Sequence, residues 1–239
     1  LRINAINTKE TLAKTFYNLL GRVEIRETLV LQMDILSAIL ELIKLEFTDL
    51  LELCIRAIFN LSCELKPGSG TDTVYAQKFS NHKIPQLLIN RIVFNANMPG
   101  SLATRPIRLL LGMCIANMSF HKTLVIEMIN IQNSTNSGVL SSIGNNSNNH
   151  TSENKLSDAL YRIFALSSEE STYCAVVALY NISKLPDSRV LADSKAVPLC
   201  VEILNQESSI LNIQLAVSAL CNFSMYPIYH EQLTNVAAP

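Results

Sequence analysis

The chain has no tryptophan, only four histidines and 7 glycines in 239 residues, and its six cysteines never form a Cys-x-x-Cys pair. His82, His121, His150 and His230 fall in no His-Glu-x-x-His or other close ligand spacing, so no metal site is expected. Lys66-Pro-Gly-Ser-Gly-Thr-Asp72 is glycine-rich but lacks the Gly-Lys-Ser/Thr that closes a phosphate loop, and it reads as a turn. Ser183 and Cys174 have nucleophilic side chains, yet no local motif sets a histidine beside either. The expectation is a protein that is not an enzyme and carries no cofactor.

Charge of either sign is scarce as well. Nineteen Lys and Arg against 20 Asp and Glu leave a net charge of −1, which provides no field to attract nucleic acid. Apolar residues at 49% and charged ones at 16% exclude a disordered chain. Cys54, Cys63, Cys114, Cys174, Cys200 and Cys221 are scattered, mostly within apolar helical patterns, and read as reduced core thiols. The chain begins at Leu1 with no signal-peptide pattern, so a piece of a longer protein is expected. The stretch from Ser208 to Tyr229 carries no charge and is nominally long enough to span a bilayer, but Asn212, Gln214, Ser218, Asn222, Ser224 and Pro227 interrupt it. Burying those polar groups in lipid is costly, so the stretch is read as part of a soluble helix pair, with no membrane insertion.

What the sequence does contain is one pattern written several times. Asn18, Asn60, Asn117, Asn181 and Asn222 sit in related stretches, the last four each followed by x-Ser. The first and last of the four spacings are nearly equal, and the two between them are longer. Counting each Asn as zero, positions −6, −3, −2 and +1 form the i, i+3, i+4, i+7 stripe of an amphipathic helix. The sets are Leu12/Thr15/Phe16/Leu19, Cys54/Ala57/Ile58/Leu61, Leu111/Cys114/Ile115/Met118, Ala175/Ala178/Leu179/Ile182 and Ala216/Ala219/Leu220/Phe223, apolar except for Thr15. Small residues recur at −3, where helices can approach closely.

A second stripe of the same form lies upstream, at a constant distance from the Asn of its unit: Ile35/Ala38/Ile39/Leu42, Leu156/Ala159/Leu160/Ile163 and Val197/Cys200/Val201/Leu204. Each unit therefore has two main helices, with room for one short helix before them. The long spacings hold insertions near Lys66–Asp72, in Phe94–Pro106, and in the Asn/Ser-rich segment 134–155, which lacks the apolar content to pack and reads as a mobile loop.

A period of about 42 with a short helix, two longer ones and Ala-Leu-x-Asn-x-Ser in the last resembles the armadillo repeat, most closely in Ala175–Leu204. The resemblance implies an all-α, right-handed α-solenoid: a single array over 1–239 of about three full and two partial repeats, truncated at both ends. The four helical Asn-x-Ser triplets are then repeat chemistry rather than glycan acceptors; Asn133, Asn145 and Asn149 begin further matches in the low-complexity tract.

In armadillo proteins the last helix of each unit lines a concave groove, where the repeated Asn can hold the backbone of an extended ligand. The resemblance carries that role to Asn60, Asn117, Asn181 and Asn222; the alternative is that each Asn bonds to the backbone of a neighbouring helix or repeat and satisfies buried polar groups there. Importers of basic peptides in this family place Trp at −4, where this chain has Lys14, Arg56, Met113, Val177 and Ser218, so that mechanism is not expected. The −4 row runs from basic at Lys14 and Arg56 to apolar at Met113 and Val177, which matches a ligand acidic at one end and apolar beyond it. Tyr173 at −8 completes an expected anchor pocket with Met113 and Val177. The expected function is a non-catalytic scaffold or adaptor in the cytoplasm that binds protein partners. The alternative is a structural armadillo component of a large cytoskeletal assembly, such as a ciliary axoneme or dynein-docking complex; the nucleus is a further alternative location.

Overall fold

The computed structural model describes residues 6–45, 48–65, 72–95, 104–131, 155–191, 195–206 and 209–237. The segment 134–154 and most of the two shorter insertions lie outside them; Asp72 and Lys155 each open a helix rather than end a loop.

Every regular element among the described residues is helical. In chain order they are α1 (Ile6–Leu20), α2 (Val23–Leu31), α3 (Ile35–Ile43), α4 (Thr48–Ser62), α5 (Asp72–Asn81), α6 (Ile84–Asn95), α7 (Arg105–Met118), α8 (Lys122–Ile129), α9 (Lys155–Phe164), α10 (Glu169–Ser183), α11 (Ala196–Gln206), α12 (Ile210–Ser224) and α13 (His230–Ala237). Short 3-10 turns occupy Cys63–Leu65, Pro186–Leu191 and Pro227–Tyr229. The Asn-bearing stripe falls on α1, α4, α7, α10 and α12, and the second stripe on α3, α9 and α11. Between α10 and α11 the short helix is a 3-10 segment that begins at Pro186.

Each Asn-bearing helix packs on the next: α1 on α4, α4 on α7, α7 on α10, and α10 on α12. Within units α3 packs on α4, α6 on α7, α9 on α10 and α11 on α12, while α6 also meets α9 and α5 meets α8. The predicted sets on α4, α7 and α10 are wholly buried because these helices have neighbours on several sides. Each Leu or Ile so buried contributes about 1.5–3 kcal/mol relative to exposure. On α12 Leu220 is only half-buried. On α1 the buried residues are Ala13 and Leu20, one position beyond the expected Leu12 and Leu19. That helix meets α4 on one side and α2 and α3 on another, which rotates its buried line.

The small residues at −3 (Ala57, Cys114, Ala178 and Ala219) are fully covered. Gly112 is closer still: a Cβ there would lie 2.9 Å from Ile163 Cγ2 of α9. Cationic side chains satisfy the carbonyls left open at helix ends. Arg26 donates from Nε to Leu20 O at 2.6 Å and pairs with Glu64; Arg91 donates to Ile43 O at 3.3 Å; Arg105 donates to Leu166 O at 2.8 Å. Asp34 and Lys83, each just before a middle helix, have positive φ of 47° and 53°. Ser168 caps α10 in a capping box with Ser171.

Candidate functional site

The repeated Asn residues form a ladder of side-chain hydrogen bonds. Asn117 Nδ2 on α7 donates to Ser62 Oγ of α4 at 2.9 Å, Asn181 Nδ2 on α10 to Ser119 Oγ after α7 at 2.9 Å, and Asn222 Nδ2 on α12 to Ser183 Oγ of α10 at 3.0 Å. Each acceptor is the Ser of the preceding unit's own Asn-x-Ser. These hydroxyls spend their protons on carbonyls three residues back: Ser62 on Phe59 O, Ser119 on Ala116 O and Ser183 on Tyr180 O, at 2.6–2.8 Å. With its proton committed, the Ser oxygen accepts, which fixes each Asn amide with nitrogen toward it.

The predicted site residues thus divide. Asn117 and Asn181 are buried, at 7% and 8% exposure, on the shoulder of their helices. Asn60 is half-buried and makes no side-chain bond among the described residues, because the matching position of the first unit is Leu20 rather than Ser. The Asn117 Oδ1 atom accepts no protein donor among the described residues, whereas Asn181 Oδ1 takes Lys184 Nζ at 3.4 Å.

The two basic positions of the −4 row are neutralised by the −8 row one turn away. Arg56 donates to Glu52 from Nε at 2.9 Å and from its terminal nitrogen at 2.8 Å, and Lys14 pairs with Glu10. An acidic ligand segment finds no unpaired cation there. Val177, expected in the anchor pocket, is instead packed at 4% exposure because α10 is flanked by both α7 and α12.

Met113 and Tyr173 do come together, in a cleft of about 370 Å³ spanning α7, α10 and α12. Phe59, Met113, Tyr173 and Leu211 supply apolar wall, Asn117 borders it, and Glu169 and Glu170 stand at the first turn of α10. Tyr173 and Leu211 are 42% and 52% exposed. Both carboxylates are exposed and have no ion-pair partner among the described residues. Their place at a helix N-terminus is favourable, since the backbone N–H groups there carry positive partial charge.

Glu170 and Leu211 each lie eleven residues before their unit's Asn, three helical turns, and so on nearly the same line. The sequence reading of the groove used positions −4 and −8 and included neither.

The thiols offer little chemistry. None of the six cysteines is in a disulfide, and burial pushes Cys54, Cys174 and Cys200 up to about 12 and Cys114 higher, leaving these four protonated and unreactive at neutral pH. Among the described residues no group of three or more His, Cys, Asp and Glu side chains could hold a metal ion, and no helix is long and apolar enough to cross a membrane. The charge-free run from Ser208 contains the 15-residue α12 and the 3-10 turn Pro227–Tyr229. His82 Nε2 lies 2.9 Å from Asp34 Oδ1, a contact between successive units, and His230 Nε2 lies 2.9 Å from Ser224 O six residues back.

Comparison of the chain with models of known families, with curated proteins and with solved structures gives no match in any of the three.

Proposed function

We propose that the chain is an array of armadillo repeats, a right-handed α-solenoid, whose face built by α1, α4, α7, α10 and α12 binds an extended segment of a protein partner. It acts as a non-catalytic scaffold or adaptor, and the proposed setting is the cytoplasm. The observation that carries this reading is the apolar cleft in which Met113, Tyr173 and Leu211 lie beside Asn117, whose Oδ1 accepts no donor among the described residues. An exposed aromatic and a leucine around a concavity provide the large apolar contact area that anchors a partner, and a free amide oxygen accepts a backbone N–H of an extended chain.

One observation favours a second reading. The amide nitrogens of Asn117, Asn181 and Asn222 are spent inside the protein. A ladder of that kind suits a rigid element whose partners meet it elsewhere, as in a large cytoskeletal or ciliary assembly.

The test is site-specific photo-crosslinking in the cells of origin, with a benzophenone side chain replacing Tyr173 in the cleft or Val74 on α5, which is 44% exposed. The groove reading expects partner adducts from position 173 and few from 74. Adducts from 74 with none from 173 overturn it in favour of the second reading.

A further inference from the structure

We infer that the cleft between α7, α10 and α12 selects a partner segment with one large apolar side chain followed two residues later by Lys or Arg. This rests on the groove reading above and specifies the ligand chemistry. Phe59, Met113, Tyr173 and Leu211 make the cleft apolar, with space for a leucine, methionine or phenylalanine side chain. The charges at its mouth are of one sign: Glu169 and Glu170, exposed and without a cation among the described residues.

An extended peptide projects residues i and i+2 to the same side, roughly 6–7 Å apart. An anchor seated in the cleft therefore leaves its i+2 side chain within reach of the exposed carboxylates that line it. A cation at i+2 pairs with the carboxylates; an acidic residue there is repelled. Rim pairs of this kind contribute more to selection and association rate than to total affinity. The basic side chains further along the face carry no opposing preference, since Lys14 and Arg56 are paired with Glu10 and Glu52.

The experiment is selection of a random 12-residue peptide library displayed on phage against the purified protein. Synthetic copies of the recovered peptides are then measured by fluorescence anisotropy with wild type, Leu211→Glu and Glu169→Gln/Glu170→Gln, all checked for unchanged helical circular dichroism. Recovered peptides are expected to share apolar-x-basic, to lose at least about tenfold in affinity on Leu211→Glu, and to lose about three- to tenfold, with most of their salt dependence, on the double Gln change. Peptides that need Leu211 but ignore the double Gln change, or that carry acidic residues at i+2, overturn the charge selection while leaving the groove in place. No enrichment, or peptides indifferent to both variants, overturns the charge selection and the groove reading together.

Discussion

The amide of Asn181 donates to Ser119 Oγ at 2.9 Å across the contact between α7 and α10, and the same hydroxyl donates to Ala116 O at 2.6 Å. Both side chains are buried, so the rung is shielded from competing water. One Ser thereby closes the last turn of its own helix and holds the next.

Removing either half of that rung leaves the other unpaired in the interior. Ser119→Ala and Asn181→Ala are each expected to cost about 1–3 kcal/mol, the usual penalty for an orphaned buried polar group. The double variant should cost less than the sum, with a coupling of about 1 kcal/mol or more in a urea-unfolding double-mutant cycle. Additive losses rule out the rung as a stabilising unit.

Asn60 supplies the control within the same chain. With Leu20 where the acceptor hydroxyl would be, Asn60→Ala should change stability by less than about 0.5 kcal/mol, whereas Asn117→Ala should cost about 1–2 kcal/mol. Thermal unfolding of the two variants side by side decides this, and equal losses refute it.

Gly112→Ala should be destabilising although alanine is the better helix former by about 1 kcal/mol. The new methyl meets Ile163 Cγ2 at 2.9 Å, and that atom sits on a branched Cβ inside the core, where it cannot swing away. A net loss of about 1 kcal/mol or more is expected by chemical denaturation; a gain in stability means that α7 and α9 can separate at little cost.

Thiol labelling with Ellman's reagent at neutral pH should find Cys221, which is exposed, reacting first and the half-buried Cys63 more slowly. Cys54, Cys114, Cys174 and Cys200 should react only once denaturant opens the core. Six equally fast thiols in the native protein refute this burial pattern.

Asp34 gives an acid-side test. The hydrogen bond from Ser37 holds its carboxyl below the ordinary 3.8, outweighing a small opposing effect of burial, with His82 adding to the lowering. A depressed folded value means stability that is present above about pH 4 and lost as pH falls through that folded value. Asp34→Asn keeps a residue that tolerates the positive φ and removes the charge. The stability difference between wild type and variant should therefore shrink on acidification below about pH 4; a constant difference from neutral pH down into that range rules out the carboxylate as its source.

The sequence made the helices legible where their surroundings were symmetrical. On α4, α7 and α10, the i, i+3, i+4, i+7 stripe predicts the buried face because neighbours cover it from several sides. On α1 the stripe is off by one residue, since the position of one-sided neighbours is not written in its own periodicity. Val177 was misplaced for a related reason: the side of a helix facing away from its stripe is solvent when the helix stands alone but interior when two others clasp it. The cleft was half legible. Met113 and Tyr173 follow from helical phase, while Leu211 and Glu170 required following the Asn line a full three turns back to the first residues of the helix. The ladder was visible only as the recurrence of Asn-x-Ser, because each bond joins one unit's Asn to the previous unit's Ser and no single repeat contains a complete pair.

That ladder is incompatible with sugar on the Asn residues that build it. Asn-x-Ser is also the acceptor of enzymes that attach glycans to the amide nitrogen of nascent chains before they pack. A glycan on Asn117 or Asn181 would occupy the atom that donates to Ser62 or Ser119 and would wedge a bulky polar group between two helices already in contact. Made in a glycosylating lumen, the protein would meet its modifying enzyme before its own hydroxyls could claim those nitrogens, and the neighbouring helices would be held apart by the resulting branches.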